Sequence, residues 1–181
     1  MKALPLALPE VLILEPSVRT DDRGFFFESF NEAAFEAAVG SPRRFVQDNH
    51  SRSAKGVLRG LHYQVRQTQG KLVRVCAGEI FDVAVDMRRA SPTFGRWVAA
   101  VLSSDNKRQM WIPEGYAHGF LALSESAEVL YKTTDYYAPQ HERCVRWDDP
   151  DLGIAWPCGQ DAPLLSAKDQ NGARLRDAES C

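Results

Sequence analysis

The stretch Lys71-Leu72-Val73-Arg74-Val75-Cys76-Ala77, then Gly78-Glu79, then Ile80-Phe81-Asp82-Val83-Ala84-Val85-Asp86 sets two apolar runs on either side of a turn. Each run is rich in β-branched residues and too short for a helix, which is the pattern of a strand. The pair Leu72–Cys76 and Phe81–Val85, joined by Ala77-Gly78-Glu79-Ile80, reads as a β-hairpin. The same texture continues in both directions. Upstream lie Val11–Leu14, Gly24–Phe30, Phe45–Asn49 and Val57–Gln64; downstream lie Trp97–Leu102, Gln109–Ile112, Gly119–Leu123 and Ala127–Thr134. Turn residues separate them, among them Lys55-Gly56, Gln69-Gly70, Ser91-Pro92, Asp105-Asn106 and Pro113-Glu114-Gly115. Short strands about ten residues apart predict an all-β sandwich or barrel. One helix is predicted, Asn31 to Val39, with Phe35, Ala38 and Val39 on one side. Asn31 or Ser29 would cap it and Gly40 would stop it. After about Trp147 the pattern weakens into a Pro- and Asp-rich tail.

The chain has 181 residues, the size of one domain: N-terminal strands over about 1–45, a barrel core over about 45–147 and a tail over about 148–181. With 44% hydrophobic and 25% charged residues it is an ordinary globular mixture, which excludes a disordered chain or a disulfide scaffold. A net charge of −2 leaves no broad basic field for nucleic acid. Cys76, Cys144, Cys158 and Cys181 are scattered with no CxxC pair, so free thiols in a reducing compartment are expected. No apolar run is long enough to cross a membrane. The apolar start is broken by Pro5, Pro9 and Glu10 without a cleavage site, so the cytoplasm is expected.

Four groups of residues could carry chemistry. His62, in Leu58-Arg59-Gly60-Leu61-His62-Tyr63-Gln64, sits within a strand and can act as a base near neutral pH. Read alone, it is more often a hydrogen-bonded core histidine. Arg59 and His62 are three apart, so strict alternation puts them on opposite faces unless Gly60 marks a bulge or Arg59 precedes the regular strand. The second group is Pro113-Glu114-Gly115-Tyr116-Ala117-His118, whose P-x-G-x-x-H spacing resembles the second metal motif of cupins. The H-x-H of the first cupin motif would fall at His62-Tyr63-Gln64, where Gln64 replaces an imidazole and argues against a metal. The third is the basic set Arg23, Arg59, Lys71 and Arg74; an unpaired charge at Arg59 or Lys71, inside apolar strands, is costly, and an anionic ligand would relieve it. The fourth is Tyr131, on the face of Val129 and Thr133, which can donate a proton or simply pack.

Together these segments resemble the dTDP-4-dehydrorhamnose 3,5-epimerase family. The resemblance is carried in order by Asp22-Arg23-Gly24-Phe25-Phe26, Phe45-Val46-Gln47-Asp48-Asn49-His50-Ser51, Gly56–Gln64, Gly70-Lys71-Leu72-Val73-Arg74, Pro113–Phe120 and Leu130-Tyr131-Lys132-Thr133-Thr134. It implies a cupin-like jelly roll, a homodimer, no metal, no cofactor and a dTDP-4-keto-6-deoxyhexose substrate. By motif position His62 resembles the general base, Tyr131 the proton donor, Lys71 the cation at the C4 oxygen and Asp169 the carboxylate that orients the histidine. Arg23, Glu28, Gln47, Asn49, Arg59, His118, Glu142 and Lys168 match substrate-contacting positions. Two alternatives stay open: an epimerase acting only at C3 or only at C5, and a metal-binding or sugar-binding cupin.

Overall fold

The computed structural model describes residues 1–159 and 161–181. Among the described residues, thirteen strands and two short α-helices follow one another as β1 (Lys2–Pro5), β2 (Leu12–Glu15), β3 (Arg19–Asp21), β4 (Gly24–Phe26), α1 (Glu32–Val39), β5 (Gln47–Ala54), β6 (Leu58–Gln64), β7 (Lys71–Ala77), β8 (Glu79–Asp86), β9 (Trp97–Ser103), β10 (Gln109–Ile112), β11 (Tyr116–Ala122), β12 (Ser126–Thr133), β13 (Glu142–Cys144) and α2 (Ala167–Gln170). They build a six-stranded sheet ordered β1-β2-β10-β7-β12-β5, a five-stranded sheet ordered β13-β6-β11-β8-β9, and a separate ribbon of β3 and β4. The neighbouring strands run antiparallel, and the two large sheets face each other as a jelly roll.

The hairpin expected from Leu72–Cys76 and Phe81–Val85 does not form. β7 pairs with β10 and β12, while β8 pairs with β11 and β9, so the chain crosses from one sheet to the other between them. Gly78 makes the corner at φ +76°, and a Cβ there would run into the Ser126 carbonyl. Two adjacent apolar strands joined by a glycine fit a hairpin and a corner equally well; only their distant partners decide. Because of the corner, Val73 and Val75 from one sheet meet Ile80 and Ala84 from the other in the core between the layers, with Met110, Ile112, Phe120 and Val129.

The outer faces are covered too. Outside the six-stranded sheet, α1 lays Phe35 against Leu14, Leu72 and Trp111. Asn31 is its cap: the side chain accepts from the Ala34 amide at 3.0 Å, and Gly40 closes the other end at φ 80°. Outside the five-stranded sheet, the tail packs Leu152, Leu175 and Ala178 on Leu61, Val83 and Val85. The tail is bound in by bridges from Val57 to Leu164 and from Val145 to Ala173.

Gly24–Phe30 is not one strand. Only Gly24–Phe26 pairs, leaving Phe25 and Phe26 exposed on the ribbon, whereas Phe30 turns onto α1 and stacks edge-on against Phe45 at 5.3 Å. Strand β5 runs on to Ala54, past its expected end, paired with β12 along its whole length; its inward residues Gln47, Asn49, Ser51 and Ser53 are polar and hide the alternation. Among the described residues no helix is long and apolar enough to cross a membrane.

Candidate active site

The space between the sheets is divided. Towards β8, β9 and β10 it is filled by apolar side chains. Towards β5 and β6 the inward positions are polar, and they enclose a cavity of about 400 Å³ lined by Gln47, Asn49, Arg59, His62, Lys71, His118, Tyr131, Glu142 and Asp169. That volume suits a small-molecule site.

A bulge places Arg59 and His62 on the same wall. His118 pairs with His62, but Phe120 pairs with Arg59, so β6 carries one extra residue against β11. Gly60 absorbs it at φ +118°, and a Cβ there would come within 2.6 Å of both the Gly119 Cα and the His118 carbonyl. Gly119 reciprocates, since its own Cβ would lie 2.7 Å from the Arg59 carbonyl. Arg59 is exposed at the cavity mouth rather than enclosed, so the burial cost expected for it does not arise. Its Nε donates to Ser53 Oγ at 2.9 Å and its terminal nitrogen to the Arg52 carbonyl at 3.1 Å.

His62 Nε2 lies 2.6 Å from Asp169 Oδ1. Ser166 caps α2 and donates from Oγ to the other Asp169 oxygen at 2.7 Å, which aims the carboxylate at the ring. Burial opposes ionisation of Asp169, but the hydrogen bonds from His62 and Ser166 outweigh it and hold the carboxyl below its usual range. An ionised Asp169 accepts the Nε2 proton, which fixes the tautomer and leaves the Nδ1 lone pair as the basic atom. Lys71, buried at 6% exposure, donates from Nζ to the His62 carbonyl at 3.0 Å. Burial lowers its pKa to about 8, with Glu142 and Asp82 acting in the opposite direction. Tyr131 faces the cavity from β12 in the other sheet, and burial with nearby Glu142 pushes its phenol up, so it stays protonated. A second pair lies beside it: His118 Nε2 sits 2.6 Å from buried Asp82 Oδ1, with the His118 and Tyr131 rings 6.4 Å apart.

At the rim, Glu142 forms an ion pair with Lys168 and accepts from the Tyr137 hydroxyl at 2.7 Å. Burial opposes its charge, yet these two bonds and nearby His62 hold its carboxyl low. Gln47 donates to Asn49 Oδ1 at 2.9 Å and accepts from the Tyr137 amide at 3.0 Å. Gln64 is tied to backbone, donating to the Gln67 carbonyl at 2.6 Å and accepting from the Ala138 amide at 2.7 Å, and so serves the strand ends rather than a ligand set.

Two expected residues lie elsewhere. Arg23 extends from the β3–β4 ribbon with its side chain 90% exposed and paired to Asp21 at 2.6 Å. Glu28 is exposed and holds Asn31 at 3.3 Å. Neither lines this cavity. Lys168 touches the rim only through Glu142. The sequence reading missed Asp82, Ser166, Tyr137 and Gln69. Asp82 had a readable signal, a carboxylate in the middle of an apolar strand; Ser166 had one as a Ser three residues before Asp169.

The dTDP-4-dehydrorhamnose 3,5-epimerase family model matches residues 5–177. The chain belongs to that family. It is 68% identical to a dTDP-4-dehydrorhamnose 3,5-epimerase of Pseudomonas aeruginosa over 99% of this chain and 98% of that protein. The structure resembles dTDP-6-deoxy-D-glucose-3,5-epimerase of Legionella pneumophila in complex with dTDP-4-keto-L-rhamnose, with a TM-score of 0.95, 53% identity, and coverage of 98% of this chain and 94% of that one. It also resembles a 3'-monoepimerase of Streptomyces bikiniensis in complex with dTDP-quinovose, at a TM-score of 0.89, 36% identity, and coverage of 97% and 88%.

Proposed function

We propose that this isomerase inverts C3 and C5 of dTDP-4-dehydro-6-deoxy-D-glucose to give dTDP-4-dehydro-L-rhamnose, a step of dTDP-L-rhamnose biosynthesis. The observation that carries the reading is that the His62–Asp169 pair and Tyr131 face the cavity from opposite sheets. The C4 ketone acidifies the neighbouring C–H bonds. His62 Nδ1 removes a proton, and the developing enolate oxygen is stabilised by the Lys71 ammonium in a site sheltered from water. Tyr131 returns a proton from the other side, which inverts the centre. In the gluco ring the hydrogens on C3 and C5 are both axial and share one face. One base on that face and one acid opposite therefore serve both centres, which favours double inversion over single. The higher identity to the 3,5-epimerases than to the 3'-monoepimerase supports the same choice.

Arg59, Gln47, Asn49, His118, Glu142 and Lys168 are assigned to holding the nucleotide sugar, with Arg59 at the pyrophosphate. Arg23 and Glu28 are assigned to the pocket of a second copy, in a homodimer that covers exposed Phe25 and Phe26. The reading places the enzyme in the cytoplasm, with Cys76, Cys144, Cys158 and Cys181 as free thiols. The test is incubation with the keto-sugar nucleotide in D₂O. Deuterium at both C3 and C5 of an inverted product supports the reading, and label at one centre alone moves the chain to the single-centre class. His62→Ala should abolish the exchange while nucleotide binding survives.

A further inference from the structure

Strand β13 pairs with β6 so that Cys144 lies opposite His62. The Cys144 thiol has no part in the proton transfers above. Yet a ring nitrogen of His62, the Cys144 sulfur and an Asp169 oxygen all lie within 4.8 Å of one another. An imidazole, a thiol and a carboxylate are the donor types of a three-ligand zinc site with an open fourth position. Tetrahedral zinc, with bonds of about 2.0–2.3 Å, needs donors roughly 3.3–3.8 Å apart, so the cluster closes on an ion through side-chain shifts of about 1 Å. Borderline and soft divalent cations are the class that such a set selects, whereas magnesium and calcium prefer oxygen alone.

We propose that His62, Cys144 and Asp169 form an inhibitory site for zinc and similar thiophilic divalent cations. The ion takes the place of the proton shared by His62 Nε2 and Asp169 Oδ1. The thiol proton leaves to solvent as the sulfur–metal bond forms, and the Nε2 proton reappears on Nδ1. Resting on the assignment of His62 as the base, the consequence is specific. The metal lies behind the imidazole, on the Asp169 side, and inactivates it by occupying the tautomer that catalysis needs. Nδ1 still faces the cavity but now carries a hydrogen. The nucleotide-binding residues at the mouth are untouched, so the ion lowers kcat rather than nucleotide affinity.

The experiment uses the full chain, stripped by chelator and titrated with cobalt(II), which reports a thiolate ligand by a near-ultraviolet charge-transfer band. One equivalent should saturate the band. Cys144→Ser should lose it while keeping turnover, and a variant with serine at positions 76, 158 and 181 should keep it, so the assignment does not depend on one substitution folding well. Zinc should displace the cobalt and lower kcat by about 10²-fold or more, the usual contribution of a general base, with chelator restoring it and dTDP affinity unchanged. A band that persists in Cys144→Ser, or is missing from the parent chain, overturns the site. Cobalt bound through Cys144 with full turnover under zinc overturns the inhibitory role, while loss of deuterium exchange in His62→Ala keeps His62 as the base, so the two readings fail separately.

Discussion

Replacing Lys71 by Met should make the enzyme much slower and, at neutral pH, more stable. The side chain is buried at 6% exposure, with Nζ 3.0 Å from the His62 carbonyl. Methionine keeps its length and removes the charge. If Lys71 meets the enolate oxygen, losing one preorganised donor should cost about 10²–10³ in kcat. The stability change has the opposite sign. Burial lowers the ammonium pKa from 10.5 to about 8, so keeping it charged at pH 7 costs the folded state about 3 kcal/mol at roughly 1.36 kcal/mol per pH unit. The lost hydrogen bond returns about 1 kcal/mol of that. Lys71→Met should therefore be about 2 kcal/mol more stable at pH 7. The advantage is full below pH 8. It fades as pH rises towards 10.5, where the unfolded lysine also loses its proton and the charge cost has gone. Urea melts from pH 7 to 10.5 at fixed protein concentration measure this, with kcat followed by NMR. The reasoning is refuted if Lys71→Met keeps kcat within about tenfold of the parent, since an oxyanion donor is worth more than that. It is equally refuted if the variant is the less stable of the two at pH 7. In the parent chain the same group predicts a loss of kcat/KM above about pH 8, as the free enzyme's ammonium deprotonates.

Three further outcomes are expected. Tyr131→Phe should still wash deuterium into recovered substrate while product formation falls by about 10²-fold or more, because abstraction survives without the opposing acid; an unchanged rate of doubly inverted product rules the phenol out as donor. Gly119→Ala should destabilise by about 1–3 kcal/mol in urea melts, since its Cβ would press on the Arg59 carbonyl at 2.7 Å, and should disturb Arg59 and His62 together. Mixing Arg23→Ala with His62→Ala, each weak or inactive alone, should restore turnover if Arg23 serves the partner's pocket, because one site of the mixed dimer is then intact; failure to complement, with subunit exchange shown by light scattering of tagged chains, rules out service to the partner's pocket.

The strands were legible wherever one face is apolar. β7 and β10 have the bounds read from the sequence, Lys71–Ala77 and Gln109–Ile112, because each is a short, mostly buried run bounded by turn residues rather than an alternating one. β5 was cut short because an active-site wall looks like a loop: Gln47, Asn49, Ser51 and Ser53 face inward where a core strand would carry Val or Ile. The false hairpin at Gly78 shows what local reading lacks, since the partners of β7 and β8 lie tens of residues away. Of the site, His62, Lys71 and Tyr131 were visible as polar groups inside strands. Asp169 was reached only through resemblance, because nothing in a four-residue helix of the tail indicates that it is bound to β6. Conversely, Gly60 was legible as a conflict: Arg59 and His62 cannot share a wall of a regular strand, and the bulge is how they do.

The division of the interior has a structural cost that the rest of the chain offsets. A jelly roll is ordinarily held by apolar side chains between its sheets, and here the β5–β6 side of that space is given to charged and polar groups. The missing apolar contact is made on the outside, by α1 against the six-stranded sheet and by the tail against the five-stranded one. One of the two coverings also reaches the cavity. The tail that shields Leu61 and Val83 presents Asp169 to His62, whereas Glu28, before α1, and Arg23, on the ribbon, stay outside the cavity. His62 on one sheet and Tyr131 on the other line the same cavity of about 400 Å³. If His62 is the base and Tyr131 the acid, opposed deprotonation and reprotonation need only a sugar ring that presents one face to each sheet, and the two-layer fold supplies that arrangement.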